Sequence, residues 1–290
     1  MNEFERADAL RVSKVIRSAR KLRGISQAKL SRELQVTQAT FSNIEKGRVA
    51  ISGSLWYRLS EILGLLPDHA FFEGIVDNID GLNDPTETGY KIPKRYSNNA
   101  YSTVRSAQPF FQFFEACLGE KALEAFLKEK LKVDPDIRFI YGLRLSVRFN
   151  CDLADFLIRS GHLTLGTLDH VTCALTNPKT HGRLAHYYRG APSRLDLMRT
   201  LAKHVAHYER NFTYEVVGES KSSLDIRSIP SEFMRYFCYK EEELPDFINR
   251  YRLSFLQSFS SYLPRSAPVS IRIIPGATKR QTECIFRITT

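Results

Sequence analysis

Apolar residues recur at helical spacing through the first fifth of the chain: Val12, Val15, Ile16, Ala19 and Leu22, with Lys14, Arg17 and Lys21 on the other side. Gly24 stops that helix. Ser26 is placed to cap the next, which runs to about Leu34 with Leu30 and Leu34 inward. Thr37 is placed to cap a third, with Phe41 and Ile44 inward and Gly47 at its end. After a loop over residues 48–52, the spacing predicts a fourth helix from Leu55 to Leu65, burying Leu55, Leu59, Ile62 and Leu63. The stretch from about Pro67 to Asn99, rich in Pro, Asp, Asn and Gly, reads as a connector, although Phe71 and Phe72 suggest that part of it packs.

The rest of the chain mixes the two periods. A helix is predicted over Phe110–Lys132, with Phe113, Phe114, Leu123, Phe126 and Leu127 on or near one face. Further helices are expected over Leu143–Ser160, Thr167–Ala174, Thr180–Tyr188, Ser193–Lys203 and Glu241–Tyr262. Alternation predicts strands at Phe212–Val217, Leu224–Ile229, Val269–Ile274 and Glu283–Ile288; in the last, Cys284, Phe286 and Ile288 share a face. The expected fold class is an all-α domain over residues 1–66, a connector over 67–99 and a larger α+β domain over 100–290.

Charge sharpens this picture. Residues 1–66 hold 12 Lys+Arg against 6 Asp+Glu, a surplus of 6, whereas the other 224 residues hold 30 against 26, a surplus of 4. The positive excess is densest on the short helices, as contact with phosphate requires. An apolar share of 43% is enough for real cores. The five cysteines (Cys117, Cys151, Cys173, Cys238, Cys284) form no Cys-x-x-Cys pair, which points to reduced thiols. With no apolar signal core at the start and no run of 18 apolar residues, the expectation is a soluble, cytoplasmic protein with no membrane partner.

The segment from about Val12 to Leu66 resembles the phage-repressor or XRE-type helix-turn-helix family through Ile16, Arg20, Gly24, Ile25, Ser26, Gln27, Leu30, Val36, Thr37, Gln38, Phe41, Ile44, Glu45 and Gly47. The resemblance implies a five-helix, repressor-like bundle whose third helix enters the major groove of double-stranded DNA, as a homodimer on half-sites about 34 Å apart. It assigns Gln27 to a phosphate and Thr37, Gln38, Ala39, Ser42 and Asn43 to the exposed side of the reading helix. Gln38 and Asn43 suit adenine, whose N6 and N7 match a side-chain amide. Thr40 and Lys46 reach backbone or stay solvated, and Lys14, Arg17, Lys21 and Arg23 are surface or general phosphate residues. Arg20 and Glu45 occupy the positions of a structural ion pair. The chain departs from the family at Gln35, which replaces a turn Gly, and at Ser31, which replaces Ala.

A second resemblance covers the C-terminal part. Tyr251, Arg252, Phe255 and Leu256, the strands around Ile271–Ile274 and Glu283–Ile288, and the helix from Gly119 are similar to vinyl-reductase-type and haem-NO-binding-like sensor domains. That group implies an α+β fold, dimerisation and small hydrophobic or aromatic effectors. Zinc-binding members use several cysteines where this chain has Cys284, and Thr278 to Gln281 replace a Gly-Asp stretch. Haem-binding members use a Tyr-x-Ser-x-Arg element that this sequence lacks. His204 and His207 stand three apart with no third ligand in sight, so neither a metal nor a cofactor is expected. The sequence has no Gly-x-Ser-x-Gly, Gly-x-Gly-x-x-Gly or Walker-type loop, which argues against an enzyme. The function expected is a sequence-specific DNA-binding transcription regulator with a C-terminal domain for dimerisation and small-molecule sensing. The alternative is a DNA-localised scaffold whose large domain binds a partner protein.

Overall fold

The computed structural model describes residues 3–76, 84–181, 184–240, 244–263, 268–275 and 283–290. Residues 241–243, which open one expected helix, and Thr278 to Gln281 lie outside the described residues. The chain divides into two units: residues 1–100 with 121–146, and residues 101–120 with 147–290. The expected division put residues 121–146 with the second half; they pack instead with the first.

The first unit opens with five helices: α1 (Glu3–Leu22), α2 (Gln27–Glu33), α3 (Gln38–Glu45), α4 (Gly53–Leu63) and α5 (Pro67–Glu73). Helix α1 starts well before Val12 because nothing upstream breaks it and Ala9 extends its buried stripe. Local chemistry sets the ends of the next two helices. The Ser26 hydroxyl accepts from the Lys29 N–H at 3.1 Å, and the Thr37 hydroxyl accepts from the Thr40 N–H at 3.0 Å. Behind α2, Gln35 takes the left-handed conformation at φ 57°, while the Val36 N–H donates to the Ser31 carbonyl at 3.0 Å. Leu30, Leu34, Phe41 and Ile44 are buried, as are Val15, Ile16 and Ala19 of α1. On α4 the buried face is rotated toward Trp56, leaving Leu55 half-buried. The Trp56 indole donates to the Pro67 carbonyl at 3.2 Å and meets the Phe71 ring edge-on at 5.7 Å. The expected connector therefore begins with a packed fifth helix, and further along it Tyr90 and Tyr96 are buried.

The stretch predicted as one helix over Phe110–Lys132 is broken. A helix spans Val104–Leu118, and Gly119 takes φ 87°, a conformation that side-chain-bearing residues rarely adopt. A second helix follows over Glu120–Ala125 and widens into a π-helical stretch over Phe126–Leu131. The apolar spacing runs through Gly119 without interruption, so periodicity alone could not show the break. The break falls next to the passage of the chain from the second unit into the first.

In the second unit, four antiparallel strands, β1 (Phe212–Glu219), β2 (Ser223–Pro230), β3 (Ser270–Pro275) and β4 (Cys284–Thr289), lie in the order β1-β2-β4-β3. Leu224 pairs with Ile288 and Ile226 with Phe286, and Cys284, Phe286 and Ile288 are all buried, as the alternation requires. Helices Arg194–His204 and Leu244–Ser260 cover that face through Leu197, Met198, Leu201, Leu256 and Phe259. Helix Glu232–Lys240 was not predicted; Met234 and Phe237, three apart, form its buried edge. The fold class is thus a helical helix-turn-helix region followed by an α+β domain. Among the described residues, no helix is long and apolar enough to cross a membrane.

His181 is buried among Tyr188, Tyr208, Phe259 and Tyr262. Its Nε2 lies 2.5 Å from the Leu175 carbonyl and must donate, so Nδ1 accepts from the Tyr208 hydroxyl at 2.9 Å. Burial lowers its pKa from 6.5 to about 4, with nearby Arg105 adding to the shift. Between those values the unfolded chain binds a proton that the folded chain refuses. Stability from this site is therefore complete above pH 6.5 and declines as the pH falls toward 4. Denaturant midpoints should drop over that window by on the order of 3 kcal/mol of stability, and His181→Phe should flatten the slope.

Candidate nucleic-acid interface and buried cavity

Helix α3 turns Phe41 and Ile44 inward, which leaves the opposite side to solvent. Thr37, Gln38, Ala39, Thr40 and Lys46 are exposed, and Ser42 and Asn43 are half-buried beside them. The Thr40 hydroxyl lies 2.8 Å from that of Thr37, within the cap. The predicted reading residues thus share one accessible surface whose side chains are small or carry amides.

A charged network behind that surface fixes the helix. The Arg20 Nε donates to Glu45 Oε1 at 2.5 Å, and its second nitrogen donates to Oε2 at 3.1 Å. A third nitrogen donates to the Ile25 carbonyl at 2.8 Å, tying the α1–α2 turn to the same guanidinium. Glu45 is 2% exposed and Arg20 12%. The Gln27 amide also donates to Glu45 Oε2, at 2.5 Å. Gln27 is therefore part of the network, and only its second amide N–H remains for a phosphate.

Arg17 and Lys21 of the first helix, expected as surface or general phosphate residues, are half-buried and engaged by carboxylates. Arg17 forms a bidentate pair with Asp136 at 2.7 and 2.8 Å, and Lys21 bridges Asp134 and Asp136 at 2.5 and 2.8 Å. Lys14 lies over the Phe139 ring at 5.4 Å, and Arg23 donates to the Leu63 carbonyl at 2.7 Å. The partners of Lys14, Arg17 and Lys21 come from the 3₁₀ turn Pro135–Phe139 and the residue before it. Burial opposes ionisation of Asp136, yet the hydrogen bonds from Arg17 and Lys21 hold its carboxyl below the ordinary aspartate range.

The second unit holds a largely apolar, partly open cavity of about 100 Å³. Phe110, Phe212, Tyr214 and Phe255 line it with Tyr208, Met234, Phe247 and Tyr251. Phe111, Phe114 and Phe259 are core residues outside the lining. Arg252 also lines the cavity, stacked at 4.0 Å over the Phe212 ring, with Nε donating to the Tyr214 hydroxyl at 3.2 Å and another nitrogen to Ser228. Loss of solvent pushes the nearby Glu209 carboxyl up, against the pull of Arg252. The resemblance marked Tyr251, Arg252 and Phe255, but nothing in the spacing showed that they face a common space.

His204 and His207 lie side by side with ring centroids 5.9 Å apart, and His204 stacks on Tyr187 at 5.3 Å. Among the described residues no group of three or more His, Cys, Asp or Glu is placed to hold a metal. The described cysteines are free thiols.

Residues 16–69 match a family model described as helix-turn-helix. No curated protein matches the chain. Among solved structures, the chain is similar at 12% identity to the Fe(II) unliganded H-NOX protein from K. algicida, with a TM-score of 0.45 over 64% of this chain and 95% of that one. A mutant of that protein gives the same values. A protein studied for haem redox potential modulated by porphyrin distortion shows 12% identity and a TM-score of 0.44, over 65% of this chain and 99% of that one.

Removing the Glu45 carboxylate strands Arg20 and frees Gln27 together. Glu45→Ala should destabilise the first unit by roughly 3–5 kcal/mol, as expected when one member of a buried pair is deleted. The exposed Glu33→Ala should cost less than about 1 kcal/mol in the same denaturant titration.

Proposed function

We infer that this protein is a sequence-specific transcription regulator, with the exposed side of α3 reading base edges in the major groove. The arrangement of Gln38, Ala39, Ser42 and Asn43 on one accessible face, braced from behind by Arg20, Glu45 and Gln27, carries this reading. Amide side chains at Gln38 and Asn43 can each donate and accept, which matches the N6 and N7 edge of adenine. Thr37 and Lys46 flank that face and serve the phosphates, together with the remaining N–H of Gln27. Two such heads on a homodimer would meet half-sites one helical turn apart.

The second unit takes the sensing role in this reading, with the cavity bounded by Phe110, Tyr214, Tyr251 and Arg252 as the effector site. The size favours a molecule of about one ring, since an engineered cavity of about 150 Å³ in another protein accepts benzene. A porphyrin does not fit. The space is far too small for a macrocycle, no histidine is among the residues lining it, and both ring nitrogens of the buried His181 are already engaged. The cavity is assigned to binding and not to turnover.

Selection of bound sequences from a random duplex pool should return a defined motif. Gln38→Ala should then weaken binding to that motif by about 1–3 kcal/mol, with scrambled duplex and circular dichroism unchanged. Equal loss on both duplexes would show that Gln38 does not read bases. For the cavity, small aromatic or aliphatic compounds should raise the stability of the full chain, by about 2.7 kcal/mol at a hundredfold excess over Kd. Cys151→Phe, which fills the lining, should abolish that gain. No stabilisation by any compound of one-ring size would remove the sensing role.

A further inference from the structure

Next to the turn between α1 and α2, a strap of chain around Gly89 packs tightly against α1. The Gly89 N–H donates to the Leu22 carbonyl at 3.0 Å, and a Cβ at Gly89 would lie 2.1 Å from the Lys21 carbonyl oxygen. No other residue fits there without moving the backbone. Between this strap and the helical stretch 120–131 runs an open groove of about 930 Å³, walled by Lys21, Lys91, Lys121, Lys128 and Lys132.

The charge balance of the groove is one-sided. Its two acidic residues are already engaged: Asp134 with Lys21 at 2.5 Å, and Glu124 with Arg138 at 2.7 Å. Lys91, Lys121, Lys128 and Lys132 are all exposed. Among the described residues, none of these four lies within ion-pair distance of a carboxylate. Four exposed ammonium groups along one open groove make a positive strip that a polyanion can meet at several points at once. The channel has no enclosed end to hold a small ligand. Its wall at Lys21 and Gly89 adjoins Gly24, three residues before Gln27.

We propose that this groove is a second seat for the duplex backbone, carrying the strand that passes Gln27 onward over Lys91, Lys121, Lys128 and Lys132. The proposal rests on the DNA-binding reading of the head and extends it. These lysines lie outside the matched residues 16–69 and contact no bases, so they add affinity without sequence preference. Three of them come from the segment that the chain contributes after leaving the second unit.

Each ammonium–phosphate contact releases bound counterions, at a slope of about 0.9 in log affinity against log salt. The test compares the full chain with a triple variant, Lys121→Gln, Lys128→Gln and Lys132→Gln, on a fluorescent duplex of about three helical turns and arbitrary sequence. The variant should show a salt slope shallower by about 2.7, equal weakening on every duplex and an unchanged circular dichroism spectrum. The matching Lys→Arg triple variant should keep the original slope. A Gln variant that binds with the parent's slope overturns the groove, while a Gln38→Ala effect persisting beside it leaves the reading of α3 standing. A parent chain with no affinity for any duplex overturns both.

Discussion

The buried carboxylate of Glu45 is the constraint on which the DNA-facing surface depends. A charge at 2% exposure is costly unless its oxygens are filled, and here Arg20 and Gln27 fill them from two different helices. Because Arg20 also holds the Ile25 carbonyl, the end of α1, the start of α2 and the end of α3 share one cluster of hydrogen bonds. Apolar packing of Leu30, Phe41 and Ile44 supplies the drive to collapse, but it is not directional. The ionic cluster supplies direction: it sets the rotation of α3 that leaves Gln38 and Ser42 outward.

How much of this was legible in the sequence follows from the range of each interaction. Caps are local, so Ser26 and Thr37 marked the starts of α2 and α3 correctly, and the positive φ of Gln35 followed from its place in the turn. The strand faces were equally clear, because Cys284, Phe286 and Ile288 alternate with more exposed neighbours along β4. The break at Gly119 was not legible, since Phe114, Leu123 and Phe126 keep helical spacing on both sides of it. Nor could Arg17 and Lys21 be told from solvated cations. Their partners Asp136 and Asp134 lie more than a hundred residues away, and no pattern short of the tertiary structure joins them.

The cavity of the second unit illustrates the same limit in a different way. Aromatic residues are plentiful in that half, and most of them serve the core, as Phe111, Phe114 and Phe259 do. What separates the lining from the core is its polar members. Arg252 sits over Phe212 with hydroxyls of Tyr214 and Ser228 as neighbours, which gives a largely apolar space an oriented charge. A ligand entering there meets both a shape and a field.

The path of the chain between the two units has a separate implication. The backbone passes from one to the other near residue 100, returns near residue 120 and departs again near residue 146. No single cut therefore releases an intact head. A fragment ending at residue 100 would leave Arg17 and Lys21 without the aspartates that neutralise them, and would bare the face of α1 that the Pro135–Phe139 turn covers. The protein is not two modules joined by a tether, and exchanging its reading head for another would mean regrafting an internal loop as well as a terminus.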